Sequence, residues 1–240
     1  MLLEEKYKIP LNKQDCTKFV FKVLPEYLEL KERKKLKEQI ENIKVISQIS
    51  DEDIPNFINE EYMYKTIMLI EIKVKEIKKL NSYIEILHRL FKAPTIIKIT
   101  DIRCNYLYSF SLKRLNKNNT EDIITYDIIN TEIYDELFST YKFENFVNNI
   151  LNQNNKYEYY YELMLKNYIE INKKYLSNEI LNKLSNSKIF YNIDKMVNLY
   201  TNLKELIKLY NEYEKSNILS QKIELKKEID IKLNLIKLDI

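Results

Sequence analysis

The segment YMYKTIMLIEIKVKE, residues 62–76, holds the clearest strand pattern in this chain of 240 residues. From residue 70 onward its apolar and charged side chains alternate, with Ile70, Ile72 and Val74 on one side and Glu71, Lys73 and Lys75 on the other. Alternation with a period of two predicts a β-strand with one face in the core and one face in water. The neighbouring segments therefore have to cover its apolar face.

The segments around this strand predict a sheet with a helix packed on it. A helix over residues 77–92 is followed by the apolar strand TIIKIT at 95–100, the alternating segment RCNYLYSFSLKR at 103–114, and the strand EDIITYDII at 121–129. Residues 43–49 are either the end of a helix or a first strand. This order predicts an α+β fold, with a small mixed or antiparallel sheet and packed helices.

The remainder of the chain has helical periodicity and ends in a long helix. We therefore predict a sheet domain over residues 1–130 and a helical region over 131–240. Apolar residues near the end repeat at steps of three and four, forming a heptad-like seam: Met196, Leu199, Leu203, Leu206, Tyr210, Leu225, Ile229, Leu233 and Ile236. Such a seam needs a facing helix, which the same chain, a second copy or another protein can supply. On one helix of about forty residues it would span about 60 Å.

The chain contains no glycine. Loops that cradle phosphate need glycine so that the backbone can approach the ligand, and the standard ATP-binding and NAD-binding loops all contain it. We therefore expect no nucleotide cofactor. Left-handed backbone positions must fall to other residues, and the asparagine-rich stretches at 116–119 and 148–155 are the natural candidates.

Charge and cysteine content predict a cytoplasmic protein. The chain has 39 basic and 36 acidic residues, a net charge of +3, which does not by itself indicate a nucleic-acid partner. Cys16 and Cys104 lie far apart without a CxxC motif, so we expect two buried thiols and no structural metal site. Residues 1–10 do not resemble a signal peptide, and the longest apolar stretch, at 62–70, is too short to span a membrane.

The motif Glu71-Ile72-Lys73 is the sharpest candidate for catalysis. Nucleases of the PD-(D/E)xK type carry Glu-x-Lys on a strand that is followed by a helix and another strand. There the glutamate binds Mg²⁺ and the lysine positions or deprotonates the attacking water. An upstream aspartate is also required, and Asp51 and Asp53 are available, although both have the sequence context of a turn. Mg²⁺ is the one cofactor this interpretation implies.

Two other residues are weaker candidates for catalysis. His88 is the only histidine, and it lies on the predicted helix without a nucleophile signature, so we expect a surface or packing residue. Cys104 follows Arg103 on a predicted strand, where a cationic neighbour lowers a thiol pKa, although an inert buried thiol is the simpler expectation.

A third set of residues predicts contacts with nucleic acid. Its basic residues are Lys75, Arg103 and Arg114, together with Lys73 and Lys98 on two of the predicted strands. Tyr106 and Tyr108 alternate on the segment between the arginines, where tyrosines either stack on bases or fill the core.

Several stretches resemble the bacterial and archaeal domain-of-unknown-function family 4391. They are YKIPLNKQDCTKFVF at 7–21, IEIKVKE at 70–76, YIEILHRLF at 83–91, APTIIKIT at 93–100 and the charged tail at 210–238. The resemblance extends nearly end to end. It implies association with restriction-type or helicase-and-methyltransferase gene clusters.

These observations predict a non-enzymatic accessory or assembly protein of a restriction or phage-defence system. It would work through a protein partner or self-association at the C-terminal seam, with nucleic acid as a further partner and no membrane contact. The alternative is an Mg²⁺-dependent nuclease that uses Glu71 and Lys73.

Overall fold

A computed structural model describes residues 8–24, 28–135, 143–185 and 187–240. The chain divides into two compact units, Met1–Tyr160 and Tyr161–Ile240. The sheets lie in the first unit, and the described part of the second unit is helical. The division into domains 1–130 and 131–240 remains a prediction.

The first unit is organised around a six-stranded mixed sheet. In chain order the strands are β1 (Ile40–Ile49), β2 (Phe57–Ile58), β3 (Met63–Tyr64), β4 (Ile67–Val74), β5 (Thr95–Asp101), β6 (Asn105–Asn116), β7 (Asn119–Asn130) and β8 (Tyr134–Asp135). The sheet has the order β1-β4-β5-β6-β7, with β8 paired to β6, while β2 and β3 form a separate pair.

Helices flank the sheet and make up the C-terminal half. In chain order they are α1 (Leu11–Gln14), α2 (Thr17–Val23), α3 (Leu30–Gln39), α4 (Ile84–Leu90), α5 (Phe143–Asn148), α6 (Lys156–Ile171), α7 (Asn178–Ser185), α8 (Ile193–Lys215) and α9 (Leu219–Asp239). None of the helices in the described ranges is both long enough and apolar enough to cross a membrane.

The structure confirms the predicted α+β class. β4 and β5 run parallel and are joined by α4, and the other paired strands are antiparallel. Residues 43–49 belong to β1, which begins directly where α3 ends. The apolar side of the alternating segment is fully buried, and it forms one core with α2, α3 and α4 that includes Val20, Leu36, Ile43, Ile72, Leu87 and Ile99.

The two edges of the sheet differ. Along β1, the N-terminal segment adds backbone hydrogen bonds, in which the N–H of Ile9 donates to the carbonyl of Ile46 at 3.1 Å and that of Cys16 to Ile43 at 3.0 Å. The other edge is β7, whose pairing with β6 is interrupted by a register shift that places Asp127 in a bulge. The β1 edge is therefore covered by chain, and both edge strands carry register shifts.

The left-handed positions do not fall on asparagine. In the described part of the chain, positive φ angles occur at Cys104 (61°) and Asp127 (49°), in the turn after β5 and in the β7 bulge. The asparagine-rich stretch at 116–119 forms the turn between β6 and β7, where the Asn118 N–H donates to Asn116 Oδ1 at 3.0 Å. The prediction for these positions was wrong, because a side-chain acceptor stabilises that turn without a left-handed residue.

An aromatic stack fixes the start of α6 within the first unit. The ring of Tyr157 is stacked against Phe57 on one strand of the small pair, with centroids 5.0 Å apart, and against Tyr62 at 4.6 Å. Lys156 beside it donates to the carbonyl of Ile54 and to Asn56 Oδ1, both at 2.6 Å. The segment around β2 and β3 thus holds the helix by ring packing and by a buried ammonium.

The C-terminal seam lies on a helical hairpin and not on one helix of forty residues. The chain leaves helical conformation at residues 216–218, between α8 and α9. Across the hairpin, Asn198 and Asn202 donate to Asp239 Oδ2 at 3.0 and 3.1 Å, and Lys232 pairs with Glu205. The facing helix that the seam requires is therefore supplied by the same chain.

Candidate functional site

The face of the sheet opposite α4 carries six polar residues in two adjacent rows across three strands. In the first row, Lys44, Glu71 and Lys98 are direct cross-strand neighbours on β1, β4 and β5. In the second row the same strands place Lys73 between two neutral polar residues, Asn42 and Thr100. We call these six residues the polar patch.

Strand alternation explains why these side chains share a face. Ile43, Ile72 and Ile99 lie one residue away on the three strands and belong to the core on the helix side. Since successive side chains on a strand point to opposite faces, the polar residues between them must point to the other side. The shared face of Glu71 and Lys73 follows directly from the pattern in the sequence.

Burial in the patch is graded. Lys73 is exposed, and the other five residues are half-buried. Asn42 Oδ1 and Thr100 Oγ1 are buried without a hydrogen-bond partner among the described residues, and both belong to residues that flank Lys73. A buried polar atom without a hydrogen-bond partner lowers the stability of the fold, so these two atoms are unfavourable features on either side of Lys73.

Glu71 is surrounded by cations. Its two cross-strand neighbours are lysines. The next carboxylate along the row is Asp15, whose backbone forms an isolated β-bridge with Lys44 at the sheet edge. Asp15 Oδ1 accepts the Thr17 N–H at 2.9 Å. Within the described ranges no group of three or more His, Cys, Asp or Glu residues is arranged to hold a metal ion. The arrangement suits an anion better than a divalent cation.

The aspartates proposed as partners of Glu71 lie in a turn. Asp53 Oδ2 accepts hydrogen bonds from the backbone N–H and the hydroxyl of Ser50, at 3.0 and 3.1 Å, directly after β1 ends. Asp51 belongs to the same turn. The expectation that both residues have turn character is confirmed, and the catalytic role of Glu71 and Lys73 stays a prediction.

The other basic candidates do not form one group. Lys75 follows β4 and donates its N–H to the carbonyl of Gln39 at 2.9 Å, and Arg103 lies in the turn after β5, at the same end of the sheet. Arg114 lies eight residues beyond Tyr106 on β6, about 26 Å along an extended strand. The structure brings Lys75 and Arg103 towards the Lys73 row and leaves Arg114 at the opposite end.

His88 is a buried residue in a polar network. Its side chain is 0% exposed. Nε2 lies 2.8 Å from the hydroxyl of Ser109 and Nδ1 lies 2.9 Å from that of Ser111, both on β6. Burial, and then the nearby ammonium of Lys113, hold the pKa of His88 well below its usual range. The packing role expected for this histidine fits its position, and the surface role does not.

Lys113 links the same strand to the end of α4. Its Nζ donates to the backbone carbonyl of His88 at 2.8 Å and to that of Phe91. Burial lowers the pKa of Lys113 to about 7. The ammonium takes the place of the hydrogen-bond donors that the last carbonyls of a helix lack.

This network was not recognised in the sequence, although a signal was present. Ser109, Ser111 and Lys113 are polar residues at every second position of β6, and all are buried. A polar series with period two on an otherwise apolar strand indicates a buried polar face that needs a partner, which the only histidine supplies. Because it is closed to solvent, the network serves as a structural element of the sheet and α4.

The two cysteines differ from the expectation of buried thiols. Cys104 is exposed and lies in the turn between β5 and β6, since its φ of 61° is incompatible with a strand. Cys16 is half-buried, and burial raises its pKa to about 11. The raised pKa keeps the Cys16 thiol protonated, so Cys16 lacks the thiolate character of an activated nucleophile.

In the second unit, the seam residues are largely internal. The residues Met196, Leu199, Leu203, Leu206, Ile229 and Ile236 are fully buried, and Tyr210, Leu225 and Leu233 are half-buried. The fully buried residues therefore pack within the chain, and the interaction role predicted for the seam stays a prediction.

A second apolar face on α9 is exposed. It consists of Leu219, Ile223, Ile231, Leu235 and Leu238, which are 44–84% exposed. At 100° per residue these positions spread over about 160° of the helix circumference, centred opposite the buried Ile229 and Ile236. We call this set the α9 outer face. The residues of this face are separated by four, eight, four and three positions and lie beside the seam on the same helix, so the apolar repeat in the sequence does not distinguish the two sets.

Comparison with family profiles gives a match that covers most of the chain. No curated protein and no solved structure matches the chain. A family profile described as "Domain of unknown function (DUF4391)" matches residues 19–232, and this range includes the sheet, α4 and most of the helical hairpin. The chain is therefore a member of the DUF4391 family, as its sequence resemblance predicts.

Proposed function

We propose that this protein is a non-enzymatic accessory or assembly protein of a restriction or phage-defence system, and that it binds a protein partner through the α9 outer face. The observation that carries the proposal is the double apolar character of α9: one stripe packs in the hairpin while the other is exposed. The genomic association implied by the family resemblance supplies the restriction or phage-defence context.

The chemistry of the surface indicates the kind of partner. The α9 outer face extends over twenty residues, about 29 Å of helix, with Lys227 between its two apolar groups. An apolar stripe of this length along a helix fits an amphipathic helix of another protein, which would lay its own apolar side against it. Exposed apolar patches of this kind are typical of binding sites on soluble proteins.

The test uses point substitutions that leave the hairpin core intact. Removing the chain from Met196 onward would also delete buried core residues. Ile231→Glu and Leu235→Glu change only exposed residues of the α9 outer face, so they test the surface without disturbing the core. Each tagged variant is co-expressed with the proteins encoded beside it, and co-purification is measured. We expect both variants to lose a partner that the wild type retains.

Val197→Glu is the matched control, because Val197 is an exposed apolar residue on α8 of the same hairpin. It should retain the partner. Light scattering tests whether a second copy of the chain covers the α9 outer face instead. A wild-type dimer that Ile231→Glu converts to a monomer would identify that second copy. A monomer that captures no defined partner, or captures it equally with all variants, contradicts the proposal.

A second candidate function is the Mg²⁺-dependent nuclease. One observation favours it: β4, α4 and β5 form the strand, helix and parallel strand that a Glu-x-Lys nuclease needs, and Glu71 and Lys73 share a face. Under this hypothesis purified protein cleaves DNA or RNA with Mg²⁺ or Mn²⁺, and both Glu71→Gln and Lys73→Ala abolish cleavage. Cleavage that survives both substitutions would come from a contaminant and would remove this candidate.

A further inference from the structure

We infer that the polar patch, together with Tyr106 at its margin, binds the backbone of a single-stranded nucleic acid. This inference concerns the first unit and is independent of the partner proposed for the α9 outer face. Its starting point is the charge of the patch, in which three lysines accompany one glutamate.

The lysines are spaced for contacts with successive anionic groups. Lys44 and Lys98 lie on either side of Glu71, two strand spacings apart, which is about 10 Å. Lys73 lies in the adjacent row between them and is exposed. Lys75 and Arg103, at the end of the sheet nearest this row, extend the basic character beyond the patch. Phosphate groups of a nucleic acid are neutralised by side chains of this kind.

Unpartnered polar atoms lie beside the central lysine. Asn42 Oδ1 and Thr100 Oγ1, on either side of Lys73 in the second row, are without a hydrogen-bond partner in the described part of the chain. The Thr100 hydroxyl is both a donor and an acceptor, and the Asn42 amide can donate as well as accept. Both atoms are buried, so they add polarity to the surface beside Lys73 without contacting a bound strand directly.

An aromatic ring at the margin favours a single strand over a duplex. Tyr106 is the cross-strand neighbour of Thr100 and therefore lies on the same face as the patch. Tyr106 is half-buried, and its ring is supported by Tyr108, with centroids 6.0 Å apart, and by Tyr134 at 5.7 Å. A supported ring beside lysines can stack on an unpaired base, whereas the bases of a duplex are not available for stacking.

The experiment is fluorescence anisotropy of full-length protein with labelled oligothymidylate of about 30 nucleotides, its RNA counterpart, and a duplex of equal length, without divalent metal. We expect the single strands to bind at least ten-fold more tightly than the duplex. Lys73→Ala should weaken binding about five-fold, and should lower the slope of log K against log salt by about 0.7, the value for one phosphate contact with a single strand. Tyr106→Leu should weaken binding by at least about five-fold.

Glu71→Gln separates this inference from the nuclease hypothesis. If the patch binds phosphate, removing the carboxylate removes repulsion, and Glu71→Gln binds more tightly than the wild type. If Glu71 holds a catalytic metal, the same variant also loses metal-dependent cleavage, and that loss is the result that distinguishes the nuclease hypothesis.

Lys34→Ala is the control, because Lys34 is an exposed lysine on α3, which packs on the opposite face of the sheet through Leu36. It should bind like the wild type. Absence of binding, preference for the duplex, or equal loss in Lys34→Ala and Lys73→Ala would overturn the inference. Circular dichroism of each variant confirms that it is folded.

Discussion

The ammonium of Lys113 lies 2.8 Å from the backbone carbonyl oxygen of His88, so a side chain from strand β6 closes the end of helix α4. The ring of the same histidine is held by two serines of that strand. Strand and helix are therefore joined by three side chains of β6, and the stability of this junction can be tested one residue at a time.

Replacing the buried lysine should destabilise the protein. Lys113→Met fills a similar volume but leaves the carbonyls of His88 and Phe91 without their donor, and a buried unsatisfied group costs about 1–3 kcal/mol. We expect a loss of about 2 kcal/mol in the free energy of unfolding, measured by urea denaturation. Lys65→Met, at an exposed position, is the control and should change stability little. Equal stability of the two variants would show that the ammonium does not cap α4.

The same lysine should give the protein a distinctive alkaline pH dependence. Burial lowers the pKa of Lys113 to about 7 from its ordinary 10.5. Between these values the unfolded chain binds more protons than the folded one, so this residue makes the free energy of unfolding rise with pH, by at most about 1.4 kcal/mol per unit. The difference in stability between wild type and Lys113→Met should therefore widen from pH 7 to pH 10. A constant difference across that range would contradict a depressed pKa.

The only histidine should remain neutral in mild acid. Burial first, and then the Lys113 charge, lower the pKa of His88, whereas an unfolded histidine gains a proton near pH 6.5. The stability that the neutral imidazole contributes is present above pH 6.5 and is lost as the pH falls below it. The chain has one histidine, so NMR shows one pair of imidazole signals, and we expect no titration between pH 7.5 and 5.5. A titration centred near 6.5 would mean that the ring is exposed.

Removing the ring of Tyr157 should destabilise the first unit strongly. The ring is buried and stacks on both Phe57 and Tyr62. Truncation of a buried aromatic residue costs about 3–5 kcal/mol, and Tyr157→Ala should lower the urea midpoint accordingly. Tyr191→Ala serves for comparison, since Tyr191 is 57% exposed and should be nearly neutral.

One substitution in the polar patch should increase stability. Thr100→Val keeps the shape of the side chain and removes a buried hydroxyl that lacks a partner among the described residues. We expect a gain of about 1 kcal/mol. Thr95→Val is the matched opposite, because the Thr95 hydroxyl donates to the carbonyl of Ala93 at 2.8 Å and its loss should destabilise. If Thr100→Val is destabilising, the hydroxyl has a partner in solution, such as ordered water.

The strands were predictable because their signal is local. The alternation around Glu71 fixes which residues face the core, and it also places Glu71 and Lys73 on the opposite face. The α+β class follows from the order of such segments. These inferences use neighbours one to four residues apart, where the geometry of a strand or helix leaves few alternatives.

The parts that the sequence did not disclose depend on distant pairings. His88 meets Ser109 and Ser111 across more than twenty residues, and no local pattern states that helix and strand will be adjacent. The break between α8 and α9 lacks glycine and proline. There the Ser216 hydroxyl accepts the Ile218 N–H at 3.3 Å, and the apolar repeat continues on both sides, so the repeat alone is compatible with one helix or two.

The bulge at Asp127 has a consequence for the behaviour of the protein at high concentration. β7 is an edge strand of twelve residues, long enough to pair with a strand of another molecule. A bulge twists the edge and interrupts the even row of N–H and C=O groups that such pairing requires. The left-handed backbone conformation of Asp127 is part of this bulge. Deletion of Asp127 would straighten the edge and favour intermolecular β-pairing and aggregation. The bulge at Asp127 therefore helps to prevent strands of other molecules from adding to the sheet at β7.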